Sequence, residues 1–187
     1  MRAFFCLPID GALRMQIGRA AEKLQRETTM AASWVRPDSF HVTLRFLGEI
    51  DAALTVPLEK AARQAAQEIV PFTLCVDTVG AFPSIDRARV LWVGAATNPA
   101  FQRLVDALER PLHALGFPPE REAAVAHVTM ARIKGRPDPR LPNAVTALGK
   151  LTPHPLRVDR LVLMESRLSP HGAAYDPLFS VPLGGEA

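Results

Sequence analysis

An internal repeat is the feature of this sequence that most constrains its fold. The apolar runs RAFFCL and RVLWVG begin 87 residues apart, and the predicted helix caps Asp10 and Asn98 lie 88 residues apart. Two His-Val-Thr tripeptides, at positions 41–43 and 127–129, lie 86 residues apart. Three elements in the same order at nearly one spacing predict two lobes with a common plan, related by a pseudo-two-fold axis.

The length and composition are those of one globular domain with a hydrophobic core. We expect a single bilobal domain over 1–187, because 187 residues fit one domain and 48% of them are hydrophobic. Every apolar run is shorter than the ~18 residues of a membrane span, and the first one is too short for a signal peptide. Cys6 and Cys75 lie in strand-like runs and are predicted to be buried thiols. These features predict a cytoplasmic protein.

Arginine dominates the basic residues of the chain. It supplies 18 of the 22 basic side chains, and the net charge is +3. A GC-rich coding sequence would explain this composition, and so would an affinity for phosphate, which the planar guanidinium group binds better than lysine does. Charge alone therefore leaves nucleic-acid binding open.

Each His-Val-Thr tripeptide presents a histidine and a threonine on one face of a predicted strand. Successive side chains of a strand point to opposite faces, so His41 and Thr43 project together. The same holds for His127 and Thr129. In a two-lobed fold these strands can lie side by side across a groove and present two imidazoles and two hydroxyls to one small ligand.

Two imidazoles on opposite sides of a phosphorus atom suit the opening or closing of a phosphodiester. One ring can act as a base while the other acts as an acid, and threonine and arginine can donate hydrogen bonds to phosphate oxygens. Neither histidine has Cys, His, Asp or Glu two or four residues later to complete a zinc site. We therefore expect no metal and no cofactor. The remaining histidines, His113, His154 and His171, are expected to be structural.

The segments around these motifs resemble the two-histidine (2H) phosphoesterase superfamily, and within it the bacterial RNA 2',3'-cyclic phosphodiesterases or 2'-5' RNA ligases (LigT-like). The resemblance rests on RAFFCLPID, WVRPDSFHVTLRFLGEI, VGAFPSIDRARVLWVG, AHVTMARIKG and LVLMESRLSPHGAAYDPL, in this order. It implies an α+β fold with two pseudo-symmetric lobes, each an antiparallel sheet with helices on the outer face, around a central groove. It also implies metal-independent hydrolysis of RNA 2',3'-cyclic phosphate termini to 2'-phosphomonoesters.

The resemblance also implies roles for individual residues. His41 would be the proton donor to the departing 3'-oxygen, and His127 would be the proton acceptor for the attacking water. Thr43 and Thr129 would hold the phosphate, and Arg132 falls where the family has a phosphate-binding arginine.

Strict alternation disagrees with the family role of Arg132. It puts that side chain on the face opposite His127 and instead favours Arg45, which shares the face of His41. A bulge, or an end of the strand near Ala131, would restore the role of Arg132. Both arginines are therefore candidates for the phosphate contact.

The resemblance is incomplete before the second histidine. Family members have a proline directly before it and an aromatic residue two positions earlier, where this chain has Ala126 and Ala124. A missing aromatic residue implies weaker stacking on a base, and hence a different or smaller substrate. Trp34 and Phe40, beside the first motif, are candidates for base stacking, with a place in the core as the alternative.

Three functions remain as hypotheses. The first is an RNA 2',3'-cyclic 3'-phosphodiesterase that acts on RNA ends such as tRNA fragments, with reversible 2'-5' RNA ligation in the same site and a bell-shaped pH profile near neutrality. The second is a cyclic phosphodiesterase of small cyclic nucleotides or ADP-ribose cyclic phosphate. The third is a non-catalytic RNA-binding module. For all three we expect a monomer without a metal or membrane partner.

Overall fold

A computed structural model describes residues 1–120, 122–169 and 172–184, which form helices packed on one antiparallel sheet. The α-helices are α1 (Gly11–Glu27), α2 (Thr55–Gln67), α3 (Pro99–Ala114) and α4 (Leu141–Leu148). The strands are β1 (Arg2–Pro8), β2 (Ala32–Trp34), β3 (His41–Glu49), β4 (Phe72–Phe82), β5 (Val90–Ala95), β6 (His127–Ile133), β7 (His154–Val158), β8 (Arg160–Ser169) and β9 (Gly172–Pro182). Two 3-10 helices, Pro37–Ser39 and Ala52–Leu54, precede β3 and α2.

The two long helices that follow β1 and β5 begin at the predicted caps. The Asp10 side chain accepts a hydrogen bond from the Leu13 amide at 2.8 Å. The Asn98 side chain accepts one from the Phe101 amide at 3.1 Å, and Pro99 is the first residue of α3. A side-chain oxygen thus satisfies an otherwise unpaired amide at each helix start, and the two caps occupy equivalent positions of the repeat.

The strands form two antiparallel lobes that join at their centre. The order across the sheet is β7-β4-β5-β6-β3-β1-β8-β9, and β2 also pairs with β6. One lobe contains β3, β1, β8 and β9, and the other contains β6, β5, β4 and β7. Strand β4, from the first half of the chain, pairs with β5, whereas β8 and β9, from the second half, extend the lobe of β1. Each half of the chain therefore contributes to the opposite lobe. The predicted fold class is confirmed, and this exchange adds to it.

The helices cover one face of the sheet, and the groove lies on the other. The helices pack in two pairs, α1 with α4 and α2 with α3. Phe5 and Leu7 of β1 belong to the main core together with Leu13 of α1, whereas Phe4 and Cys6 belong to a second cluster. Strand β1 is therefore buried on both faces, and its groove face supports the candidate site.

Some predicted elements differ from the structure. The run LRVDRLVLMES, whose apolar residues predict one strand, is divided at Asp159 between β7 and β8. Cys6 is buried as expected, but Cys75 is exposed. The predicted turn SPHG includes residues 170–171, so that turn and the structural role expected for His171 lie outside the described residues. Within the described ranges, no helix has the length and hydropathy needed to span a bilayer.

Candidate active site

The two His-Val-Thr tripeptides meet where the lobes join. Strands β3 and β6 pair at Val42 and Val128, the central residues of the two tripeptides. These valines are 2% and 1% exposed, so both point into the core. Alternation then places the flanking side chains of both strands on the groove face around this point; they are His41, Thr43, His127 and Thr129, all half-buried.

A β-bulge follows the threonine of each tripeptide. Adjacent residues of β1 pair with Thr43 and Arg45, so the register passes over Leu44. Adjacent residues of β5 pair with Thr129 and Ala131, so the register passes over Met130. The two bulges occupy the same position of the repeat, and each one reverses the face of the side chains that follow it.

The bulges decide between the two candidate arginines. In β6 the reversal turns Arg132 toward the groove, where it is exposed. In β3 it turns Arg45 away from the face of His41, and that side chain is 7% exposed. The prediction from strict alternation is therefore wrong for Arg45, whose guanidinium group is bound by the carboxylates of Glu109 and Glu120.

Both imidazole rings are held in the same way. The Nδ1 atom of His41 lies 2.8 Å from the Ser39 carbonyl oxygen, and the Nδ1 atom of His127 lies 2.8 Å from the Val125 carbonyl oxygen. A carbonyl oxygen only accepts, so Nδ1 carries the proton in each ring and Nε2 is left for the ligand. The His41 Nε2 atom lies 3.1 Å from Thr43 Oγ1.

Aromatic rings surround each histidine on its own lobe. The His41 ring lies 4.8 Å from the Phe4 ring and 5.2 Å from the Tyr175 ring, measured between centroids. The His127 ring lies 5.0 Å from the Phe82 ring and 6.1 Å from the Trp92 ring. These rings restrict the orientation of both imidazoles and remove water from one side of each.

The surroundings keep both histidines neutral at pH 7. Burial is the main cause that lowers the pKa of His41 to about 4; the charges of Arg132 and His127 also lower it, against the opposing hydrogen bond to Ser39. Burial also lowers the pKa of His127, again with a contribution from Arg132 and against its hydrogen bond to Val125. An anionic ligand would stabilise the protonated imidazoles and would therefore raise both pKa values.

Arg132 is the cation of this groove. Its charge contributes to the lowered pKa values of His41 and His127 and opposes the rise in the pKa of Tyr175. Burial, the larger influence, nevertheless raises the pKa of Tyr175. A guanidinium group that acts on both imidazoles can donate hydrogen bonds to an anion held between them.

The predicted stacking residues do not lie on the groove face. Trp34 pairs with Ala131, whereas its neighbour Ser33 pairs with Arg132, so the indole of Trp34 faces the core. Phe40 is 4% exposed and lies in the core. Both rings therefore pack against the core, which was the alternative to base stacking, and neither one faces the groove.

Phe46 presents a further aromatic ring to the groove, at a position that strict alternation does not predict. It lies 86 residues before Arg132, directly after the equivalent bulge, and its side chain is 55% exposed. Alternation without a bulge puts it on the core face. The available signal was the repeat, since Phe46 and Arg132 occupy equivalent positions of the two motifs.

A cavity of about 470 Å³ adjoins the two tripeptides. On the strand side the cavity is lined by Thr43, Phe46, His127, Thr129 and Arg132. On the other side it is lined by Glu120 and residues 122–125. This volume is in the range of small-molecule and nucleotide sites. In the described part of the chain, no group of three or more His, Cys, Asp or Glu side chains is arranged to hold a metal ion.

Two His-Val-Thr strands that meet across a groove in pseudo-symmetric lobes define a two-histidine phosphoesterase. The chain belongs to the family described as LigT like Phosphoesterase, whose sequence pattern matches residues 7–92 and, separately, residues 93–175. The boundary between the two matches falls within β5, near the middle of the chain, in agreement with the internal repeat.

Named relatives and solved structures agree with this assignment. The chain is 36% identical over 149 residues to the RNA 2',3'-cyclic phosphodiesterase of Aeropyrum pernix, covering 79% of this chain and 84% of the relative. It is 29% identical over 176 residues to that of Methanothermobacter thermautotrophicus, covering 94% and 95%. The Thermus thermophilus protein TT0787 superposes with a TM-score of 0.83 at 26% identity over 100% of both chains. Escherichia coli LigT complexed with 3'-AMP has the same fold, with a TM-score of 0.72 at 24% identity over 97% of both chains.

Proposed function

We propose that this protein hydrolyses the 2',3'-cyclic phosphate end of an RNA strand to a 2'-phosphomonoester. The observation that carries the proposal is the matched pair of histidines, each with Nδ1 bound to the carbonyl two residues earlier, so that Nε2 is the nitrogen without a proton. Relatives that bear the name RNA 2',3'-cyclic phosphodiesterase support the substrate.

The reaction needs one base and one acid. Nε2 of His127 accepts a proton from water as the water oxygen attacks phosphorus, and the bond from phosphorus to the 3'-oxygen breaks. Nε2 of His41, protonated in the substrate complex, donates its proton to the departing 3'-oxygen. The 2'-phosphate remains, and 2'-5' ligation follows the same path with the 5'-hydroxyl of a second strand in place of water.

Polar and aromatic side chains hold the rest of the substrate in this proposal. The hydroxyls of Thr43 and Thr129 and the guanidinium group of Arg132 donate to non-bridging phosphate oxygens. Phe46 offers its exposed ring to the terminal base, which stacking would bind with little preference for one base over another. Arg45 has no part in phosphate binding.

The proposal treats residues 1–187 as one bilobal domain that acts as a monomer in the cytoplasm without a metal. The exchange of β4 and β8 between the lobes supports the single domain. Two cysteines without a disulfide suit a reducing compartment.

The test is an incubation, in the presence of a chelator, with a short RNA that ends in a 2',3'-cyclic phosphate. We expect a 2'-phosphate product, identified against 2'- and 3'-phosphate standards. Parallel incubations contain 2',3'-cyclic mononucleotides and ADP-ribose cyclic phosphate. Turnover of these small substrates but not of RNA would replace the proposed substrate, and RNA binding without turnover of any substrate would make the protein a binding module.

A further inference from the structure

Arg45 is a buried cation directly beside the first motif, and it contacts two glutamates and two backbone carbonyls. Its side chain is 8% exposed, and its Nε atom lies 2.6 Å from Glu109 Oε1. Its Nη1 atom lies 2.5 Å from Glu120 Oε1 and 3.1 Å from the Phe46 carbonyl oxygen. Its Nη2 atom donates to the Pro118 carbonyl. Such a group is too costly to bury without partners of this number and charge.

These contacts join β3 to α3 and to the 117–126 segment, which connects α3 to β6. The described residues of that segment form neither helix nor strand. Residues Glu122 to Val125 form the wall of the 470 Å³ cavity that faces the strands. Arg45 holds the beginning of this wall, while the hydrogen bond from the Ala95 amide to the Ala126 carbonyl, at 3.0 Å, holds its end.

The wall also carries the acceptor that fixes one catalytic ring. The Val125 carbonyl, near the end of the 117–126 segment, binds Nδ1 of His127. The equivalent acceptor for His41 is the Ser39 carbonyl, which belongs to a 3-10 helix. The orientation of His127 therefore depends on an irregular segment, and Arg45 ties that segment to the strand of the other motif.

We propose that Arg45 is a positioning residue, which acts through the 117–126 segment to close the wall of the groove and hold the Val125 carbonyl against His127. This role deepens the proposed function and rests on it, since His127 is the proposed base. It also explains a buried arginine next to the motif, because its ion pairs specify one arrangement of a segment whose described residues form neither helix nor strand.

The test compares four proteins by three measurements. The variants are Arg45→Met, Glu120→Gln and, as the matched control, Arg110→Met. Arg110 lies on α3 and, like Arg45, pairs with a distant glutamate, since its Nη2 atom lies 2.5 Å from Glu68 Oε2. Unlike Arg45, it lies on the exposed surface. Glu120 is 51% exposed, so Glu120→Gln loosens the segment while Arg45 keeps its ion pair with Glu109. This variant keeps the test valid if Arg45→Met does not fold.

The measurements are amide hydrogen exchange over residues 117–126, the tautomer of His127 from its ring nitrogen chemical shifts, and kcat/KM. We expect Arg45→Met and Glu120→Gln to speed exchange in the segment at least ~10-fold, through loss of the charged contacts. We also expect them to populate the Nε2-protonated tautomer of His127 and to lower kcat/KM mainly through kcat, with Arg110→Met like the wild type.

Unchanged exchange in both Arg45→Met and Glu120→Gln would overturn the inference, and so would faster exchange with an unaltered His127 tautomer. Exchange and ring shifts need no substrate, so they decide the role of Arg45 even if the wild type hydrolyses no cyclic phosphate. A wild type inactive on all substrates would contradict the proposed function alone.

Discussion

At the scale of single residues, the site depends on how each imidazole is held and charged. The i−2 carbonyl contacts select the same tautomer in both rings, and burial lowers both pKa values below the ordinary value of 6.5. The free enzyme therefore has two neutral bases near neutrality. Because the reaction needs one protonated ring, the proton of the acid becomes stable only when an anion enters the groove.

A pH profile tests this electrostatic arrangement. A bell-shaped profile of kcat/KM reports the pKa values of the free enzyme. As pH rises through the lowered values the acid is lost, and as pH falls the base becomes protonated, so we expect the bell to be centred below pH 6.5, the ordinary histidine value. A centre above pH 7 would contradict the lowered values.

Substitution of Arg132 provides the second pH experiment. The charge of Arg132 lowers both histidine pKa values, so Arg132→Gln should move the kcat/KM bell to higher pH while activity falls. Arg132→Lys keeps the charge and should leave the centre in place. If the bell keeps its position in Arg132→Gln, Arg132 does not act on the two rings.

The exposed ring of Phe46 is the proposed stacking surface for the terminal RNA base. We expect Phe46→Ala to raise the KM for RNA about 10-fold with little change in kcat, because stacking is worth ~1–3 kcal/mol per base. Phe46→Tyr should restore most of the affinity. Val56→Ala is the control, since Val56 is 75% exposed on α2. Equal KM values for RNA in Phe46→Ala and Val56→Ala would show that no base stacks on Phe46.

At the scale of elements, the two bulges determine which side chains reach the groove. The sequence was sufficient for the His-x-Thr faces, because period-two alternation holds from His41 to Thr43. It was not sufficient beyond them, since a bulge is a property of strand pairing and reverses the positions that follow it up to the next bulge, as for Arg45. The sequence was also not sufficient for Phe40, because an aromatic residue beside a motif is compatible both with base stacking in the groove and with packing in the core. The division of β7 from β8 at Asp159 likewise depends on which strands they pair with.

Gly80 allows a prediction about the packing under His127. A Cβ atom at position 80 would overlap the indole of Trp92, which flanks His127. We expect Gly80→Ala to cost about 1–3 kcal/mol of unfolding free energy, by overpacking, and to lower kcat/KM. Gly18→Ala is the control, because a Cβ there meets only Pro37 at 3.7 Å. Urea unfolding of both variants gives the comparison, and a Gly80→Ala protein as stable as Gly18→Ala would contradict the packing.

At the scale of the whole molecule, the exchange of β4 and β8 makes the lobes interdependent. Each lobe contains a strand from the other half of the chain, and one main core includes residues of both. We therefore expect a single unfolding transition in urea, with tryptophan fluorescence and far-UV circular dichroism coincident.

A core substitution in β4 extends that test to both lobes. Leu74 is fully buried, and Leu74→Ala should lower the free energy of unfolding by about 2–5 kcal/mol. Both probes should shift together. Two separated transitions, in the wild type or in this variant, would show that the lobes unfold independently.

The central claim is that the two halves of the repeat form one active site, and a double-mutant cycle tests it most directly. The measurement is kcat for hydrolysis of an RNA 2',3'-cyclic phosphate by the wild type, His41→Ala, His127→Ala and the double variant. We predict a loss of about 10²-fold or more in each single variant, and a double variant that is little worse than either, because groups that act as one unit are not additive. Losses that multiply, or a loss below about 10-fold for either histidine, would contradict a shared site.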